Sequence, residues 1–220
     1  MDRMSITDLQ KRQNALLGTE FCLLFIGVPT LCCLRAFHAY PMQMLWSVSG
    51  FCLIVLLGDQ DFEFSRFWRV PRWKKHVPWA ALRFAALASV LTLCSVVFLR
   101  ISITCSHIQG NSPLGFTLFS YPILSVYPQG IVYRGFLFHR YRNLFPDRRL
   151  LILASALVFG YGHVIYAEPA TVGLTMVGGL LFAWTYSATG SLIVSWVEHT
   201  LYGDFLFVIG LWKYFFHLAG

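Results

Sequence analysis

Three ionisable residues occupy positions where ionisable residues are costly: Arg134, His163 and His199 each lie within a long apolar stretch of this 220-residue chain. A charged side chain near hydrocarbon must find a partner, reach water or carry out chemistry, and it marks a functional site by default. Arg134 falls within the run Tyr127 to Tyr141, close to Gln129 and Gly130. Singly, each residue also has a structural reading. Arg134 can extend towards headgroups, and a membrane histidine can join two helices by a hydrogen bond. Together they form a candidate buried site. His163, His199 and a carboxylate would also suffice for a three-ligand metal site. No HExxH spacing occurs, and neither a metal nor another cofactor is expected.

The elements that position these residues are membrane helices. Hydrophobic residues make up 57% of the chain, charged residues only 12%, and the mean hydropathy is +0.61, values foreign to an ordinary soluble domain. Several stretches reach the roughly 20 residues that a helix needs to cross a bilayer, and Trp and Tyr collect near their ends. Seven apolar segments are expected to be helical, because open strands leave backbone groups unpaired in lipid. They run about 16–35, 43–57, 79–99, 114–138, 150–165, 171–189 and 191–216. The second is short enough to be tilted or re-entrant, and the last contains Gly203 and Gly210, where a break is allowed. The expected fold is all-α: a polytopic transmembrane helical bundle of about seven membrane segments. Residues 1–220 form a single integral-membrane domain, with the motif-bearing region at 114–220.

The net charge of +7 is sorted by loops, so it reads as topology and excludes nucleic acid as the expected partner. Twelve basic residues fall in three regions: Arg3, Lys11 and Arg12; Arg66, Arg69, Arg72, Lys74 and Lys75; and Arg140, Arg142, Arg148 and Arg149. The connections of opposite phase hold only Arg35 and Arg100. The positive-inside rule therefore places the N-terminus in the cytoplasm, with an uncleaved first span. Asp59, Asp61 and Glu63 are expected to pair locally with the neighbouring basic run, whose own expected partner is anionic lipid. His139 reads as structural. Six cysteines without a CxxC pair read as small packing residues. No feature specifies an oligomeric state.

Depth along the helices brings the unusual residues to one layer. At 1.5 Å per residue, Gln129 lies roughly 20 Å from Arg142, His163 about 21 Å from Arg149, and His199 about 14 Å from Gly190. Phe159 and His163 share a helix face, with Gly160 and Gly162 allowing close approach. His199 stands one turn before Gly203, which leaves room for a substrate backbone or another helix. Glu198 precedes His199, but consecutive side chains diverge by about 100° and need not share a cavity.

These residues resemble the CAAX protease and bacteriocin-processing (CPBP) family of intramembrane endopeptidases. Its first motif, paired glutamates followed by three residues and arginine, corresponds to Gln129-Gly130-Ile131-Val132-Tyr133-Arg134. Its second, phenylalanine and histidine four apart, corresponds to Phe159 and His163. Its third, a histidine followed four residues later by asparagine or a small residue, corresponds to His199 and Gly203, next to Asp204. The resemblance implies a membrane-associated peptide or protein as substrate, membrane lipids as surroundings, and a bacterial inner membrane as location. His163 would be a base or water orienter, His199 would stabilise the developing oxyanion, and Arg134 would brace the site. Phe159, Gly203 and Asp204 are expected at the substrate.

The departure lies in the first motif. Gln129 and Gly130 stand where glutamates are expected, and a glutamine can hydrogen-bond water but cannot take its proton as a carboxylate does. Losing a general base typically costs about 100- to 10,000-fold. Substitutes by composition are Glu198, Glu168 and Glu20. The expectation is an endopeptidase of lost or impaired activity. The alternatives are a pseudoprotease that binds a membrane peptide or partner without cutting it, and a small transporter.

Overall fold

The structure is a computed structural model that describes residues 6–34, 40–70, 77–97, 107–108 and 112–211. The expected segment ends at Arg35, Leu99 and Phe216 lie outside the described residues, as do Arg3, Arg72, Lys74, Lys75, Arg100 and Cys105.

Each predicted apolar segment carries a helix. These are α1 (6–32), α2 (Pro41–Leu57), α3 (Val77–Val97), α4 (114–140), α5 (Arg148–Tyr161), α6 (Pro169–Thr189) and α7 (Leu192–Val208). Single turns of 3₁₀-helix lie at Phe64–Phe67 and Val164–Tyr166. A two-residue antiparallel pair, β1 (His107–Ile108) with β2 (Ser112–Pro113), stands before α4 and adds little to an otherwise helical fold. Among the described residues, four stretches are long and apolar enough to cross a membrane: Asp8–Cys32, Val77–Val97, Arg148–Tyr166 and Pro169–Thr189. Helix α2 is a shorter apolar helix of 17 residues. Tyr, Pro, Ser, Gln and Arg dilute the apolar character of α4, which suits a helix enclosed by its neighbours.

Helix α1 begins ten residues before its predicted apolar segment. Leu9, Gln10, Lys11, Arg12 and Ala15 are good helix formers, so the polar run continues the helix although it buries little. The C-terminal expectation of a break is met at Gly210, whose φ of 79° follows directly on the end of α7.

Helix α4 departs most from regular geometry. Its α-helical turns alternate with two π-helical segments, Pro122–Val126 and Ile131–Phe136. Such wide turns loosen the i to i−4 ladder, and in lipid the carbonyls released must be satisfied by something else. Pro128 has no N–H to give to the carbonyl of Leu124, and the Trp46 indole of α2 donates to that oxygen at 3.0 Å. Trp196 of α7 adds a second bond, at 2.7 Å, to the Pro122 carbonyl, which also accepts from the Tyr127 N–H, and Ser155 of α5 donates to the Tyr133 carbonyl at 2.8 Å. Three neighbouring helices thereby hold the irregular helix in register.

Helices α5 and α6 form the closest-packed pair. A Cβ at Gly160 would collide with the Met176 side chain, and one at Gly179 would stand 3.1 Å from the Ala156 Cα. Small residues at this seam let the two backbones approach. On the side of the basic loops, Arg140 holds Glu20 through two bonds of 2.8 and 3.0 Å, and the Tyr141 hydroxyl adds a third at 3.0 Å. Asp59 and Asp61 pair not with the adjacent basic run, as expected, but with His139 and Arg142 at the end of α4. The His139 hydrogen bond, with a further one from the Asp61 backbone N–H, holds the Asp59 carboxyl below its usual range. That contribution is present above the ordinary carboxylate pKa and is lost as pH falls through the lowered one. Glu63 does pair locally, with Arg66 and Arg69. The Ser191 hydroxyl, which also caps α7, donates to the Arg69 carbonyl and ties this loop to the bundle.

Replacing Trp46 by Phe keeps most of the ring and deletes one donor. The Leu124 carbonyl then loses its partner, and the variant is expected to lose about 1 kcal/mol of stability, read as a lower thermal midpoint in detergent.

Candidate active site

Helix α5 stops at Tyr161 with Gly162 as its C-cap, and the chain turns through His163, at φ −96° and ψ 3°, into the Val164–Tyr166 turn. A Cβ at Gly162 would strike the Tyr133 hydroxyl, so this position needs a glycine. The connection closes through Ala167 in the left-handed region, with φ 52°, before Pro169 opens α6. This abrupt exit fixes the imidazole. His163 Nδ1 lies 2.7 Å from the Phe159 carbonyl oxygen. A carbonyl only accepts, so Nδ1 carries the proton and Nε2 keeps its lone pair.

The Phe159 ring lies between several of the expected site residues. His163 meets it edge-on at 4.9 Å between centroids, and His199 does so at 5.4 Å. His199 also stacks on Phe182 at 4.3 Å and 18°. Arg134 lies over the same two rings, its Cζ 4.4 Å from the Phe159 centroid and 5.3 Å from that of Phe182. The guanidinium is 1% exposed, and among the described residues none of its nitrogens has a hydrogen-bond partner. Arg134 therefore does not extend towards headgroups.

A cavity of about 310 Å³ opens beside this group, lined by Gln129, His163, Phe159, Phe182, His199 and Tyr121 among others. A second, of about 200 Å³, lies between α1, α2 and α4. The two share Met42, Ser125, Gln129, His163 and Tyr166. Gln129 and His163 thus stand at the junction of two largely apolar chambers. The Gln129 amide nitrogen donates to the Ser125 hydroxyl at 2.8 Å, which leaves its buried carbonyl oxygen unpaired.

Several expected site residues occupy other places. Gly130 does not line either cavity: a Cβ there would point at Leu192 Cδ1, 3.1 Å away, so the room for a side chain is taken by α7. Asp204 also lies outside both linings, with Oδ1 buried and unpaired. Gly203 lines the larger cavity, but the space above it is filled by the ring and hydroxyl of Tyr121 from α4. Of the two occupants the sequence allowed there, another helix is the one present.

The substitute carboxylates lie elsewhere. Glu198 is 5% exposed and receives Arg83 Nη2 at 2.8 Å, and Glu20 is held by Arg140, whereas Glu168, at the N-cap position of α6, makes no side-chain cap bond but lines neither cavity. Sequence reasoning missed Arg83, although a lone arginine in the third apolar segment carried the same signal as Arg134. Its guanidinium also reaches the Thr185 hydroxyl at 3.3 Å and lies 4.6 Å from the centre of the Trp184 ring. This pair joins α3 to α7 at the residue before His199.

Breaking it from one side strands a buried carboxylate. Arg83→Met is expected to cost about 3 kcal/mol, and Arg83→Met/Glu198→Met to recover most of that, measured by thermal unfolding in detergent.

Comparison with curated proteins and with solved structures gave no match. Residues 111–203, the stretch that bears all three motifs and most of the residues lining the larger cavity, match the Rce1-like family of the CPBP group, described as type II CAAX prenyl endopeptidase Rce1-like.

Proposed function

We propose that this protein is an intramembrane endopeptidase that cleaves a membrane-associated peptide or protein slowly, with His163 as its general base. The observation that carries this reading is the fixed tautomer of His163, which leaves Nε2 as an acceptor on a side chain that, like Gln129, lines both apolar chambers. An acceptor held in place next to a hydrogen-bonding amide can orient water and take its proton. His199, on the wall formed by α7, is placed to donate to a developing oxyanion. Arg134 braces the aromatic pair that sets both imidazoles. The apolar chambers suit a substrate with a hydrocarbon portion, and prenylated peptides are one such class. The proposed setting is a bacterial inner membrane, with the N-terminus and the three basic regions in the cytoplasm.

A second reading is favoured by a specific observation: at Gly130 the second motif carboxylate is not only absent, but its space is filled by Leu192. A site so packed fits binding without cleavage, and this remains the rival.

The two are separated by cleavage of a peptide library that includes prenylated members, using purified protein in detergent. The endopeptidase reading expects slow cleavage by the parent, none by His163→Ala, and about 100-fold faster cleavage by Gln129→Glu, which adds a carboxylate beside His163. Gly130→Glu is expected to gain only when Leu192→Ala makes room. A silent parent together with a silent Gln129→Glu variant, both folded, would leave the binding role.

A further inference from the structure

Tyr121 sits in the same cavity as both histidines and belongs to none of the motifs. Its ring packs edge-on against His199 at 6.4 Å and against Phe207 at 5.0 Å. Gly203, one helical turn beyond His199 and on the same face of α7, is where the phenol ends. A Cβ at 203 would collide with Tyr121 Oη as well as with the ring, so the hydroxyl occupies the volume that a side chain at 203 would fill. The α7 wall of the cavity therefore presents two polar groups one turn apart, the His199 imidazole and the Tyr121 hydroxyl, the second contributed by α4. The tyrosine begins no regular turn by chance: Pro122 follows it and opens the first π-helical segment of α4, whose carbonyl is fastened to α7 by Trp196. The joint that ties the Pro122 carbonyl to α7 thus lies next to the approach of Tyr121 to Gly203.

Resting on the endopeptidase reading, we infer that Tyr121 is a catalytic residue that donates its phenolic hydrogen to the oxyanion of the tetrahedral intermediate. The water oxygen adds to the peptide carbonyl carbon, and the water proton passes to His163 Nε2. The carbonyl π pair moves onto oxygen, where Tyr121 O–H and a His199 N–H donate to it. Collapse re-forms the carbonyl and breaks the C–N bond, and the leaving amine takes the proton back from His163. Tyr121 keeps its proton throughout. Two donors from neighbouring helices, reaching one oxygen, would form the arrangement that stabilises such an intermediate.

The test uses the full chain in detergent, with the library peptide that the parent or Gln129→Glu cleaves. In that active background, Tyr121→Phe keeps the ring over Gly203 and deletes only the donor. It should lower kcat about 100- to 1,000-fold with little change in KM or thermal midpoint. Tyr121→Ala should be at least as slow. Tyr121→Ala/Gly203→Asn, which opens the space and fills it with an amide donor from α7, should regain part of the lost kcat. Parental kcat in Tyr121→Phe, while His163→Ala is silent, overturns the assignment and leaves the endopeptidase reading intact. A loss that appears only in KM, or only with a lowered midpoint, overturns it in favour of packing. Silence of parent and Gln129→Glu alike defeats the endopeptidase reading and this inference with it.

Discussion

The arrangement rests on a cation held by ring faces. Arg134 is buried, lacks a hydrogen-bond partner among the described residues, and lies over Phe159 and Phe182. A desolvated cation–π contact is worth about 2 kcal/mol, less than the several kcal/mol that burying a charge costs. The guanidinium is thus a net expense to the fold, of the kind kept where a site needs it. What it secures is the orientation of two rings. Phe159 supports both imidazoles and supplies the carbonyl that sets the His163 tautomer, while Phe182 carries the stacked His199. Moving Phe159 would disturb both histidines, and moving Phe182 would disturb His199.

Backbone accounting explains why α4 carries so much of the site. Two prolines and two wide turns loosen the backbone ladder of this helix, and Trp46, Trp196 and Ser155 donate to its carbonyls from three other helices. An irregular helix satisfied in this way becomes a junction. It brings Tyr121, Gln129 and Arg134 to bear on residues of α5, α6 and α7, although regular α-helical spacing would rotate them differently. Small residues complete the fit, with Gly162 yielding to Tyr133 and Gly203 to Tyr121.

Much of this was legible from residue types. Apolar runs located every helix, and intramembrane Arg134, His163 and His199 marked the region where the larger cavity lies. The rest depends on contacts that a single sequence does not display. The first-motif correspondence set Gly130 at the site, but Leu192, arriving from α7, takes the room that a side chain there would need. Gly203 announced a space without saying that Tyr121, 82 positions earlier in the chain, would fill it. Arg83 was visible and was passed over. Its pairing with Glu198 is a long-range contact that also removes one candidate base from consideration.

Catalysis by His163 requires a neutral ring that lines the cavity with its Nε2 bare. Nitrogen-15 NMR of the histidine-labelled protein in liposomes near pH 7, with His163 assigned through a His163→Gln variant, reads that state directly. The expected spectrum is that of a neutral ring protonated at Nδ1, with Nε2 showing the shift of an unprotonated nitrogen. A ring protonated at Nε2, or a fully charged imidazolium, would contradict it.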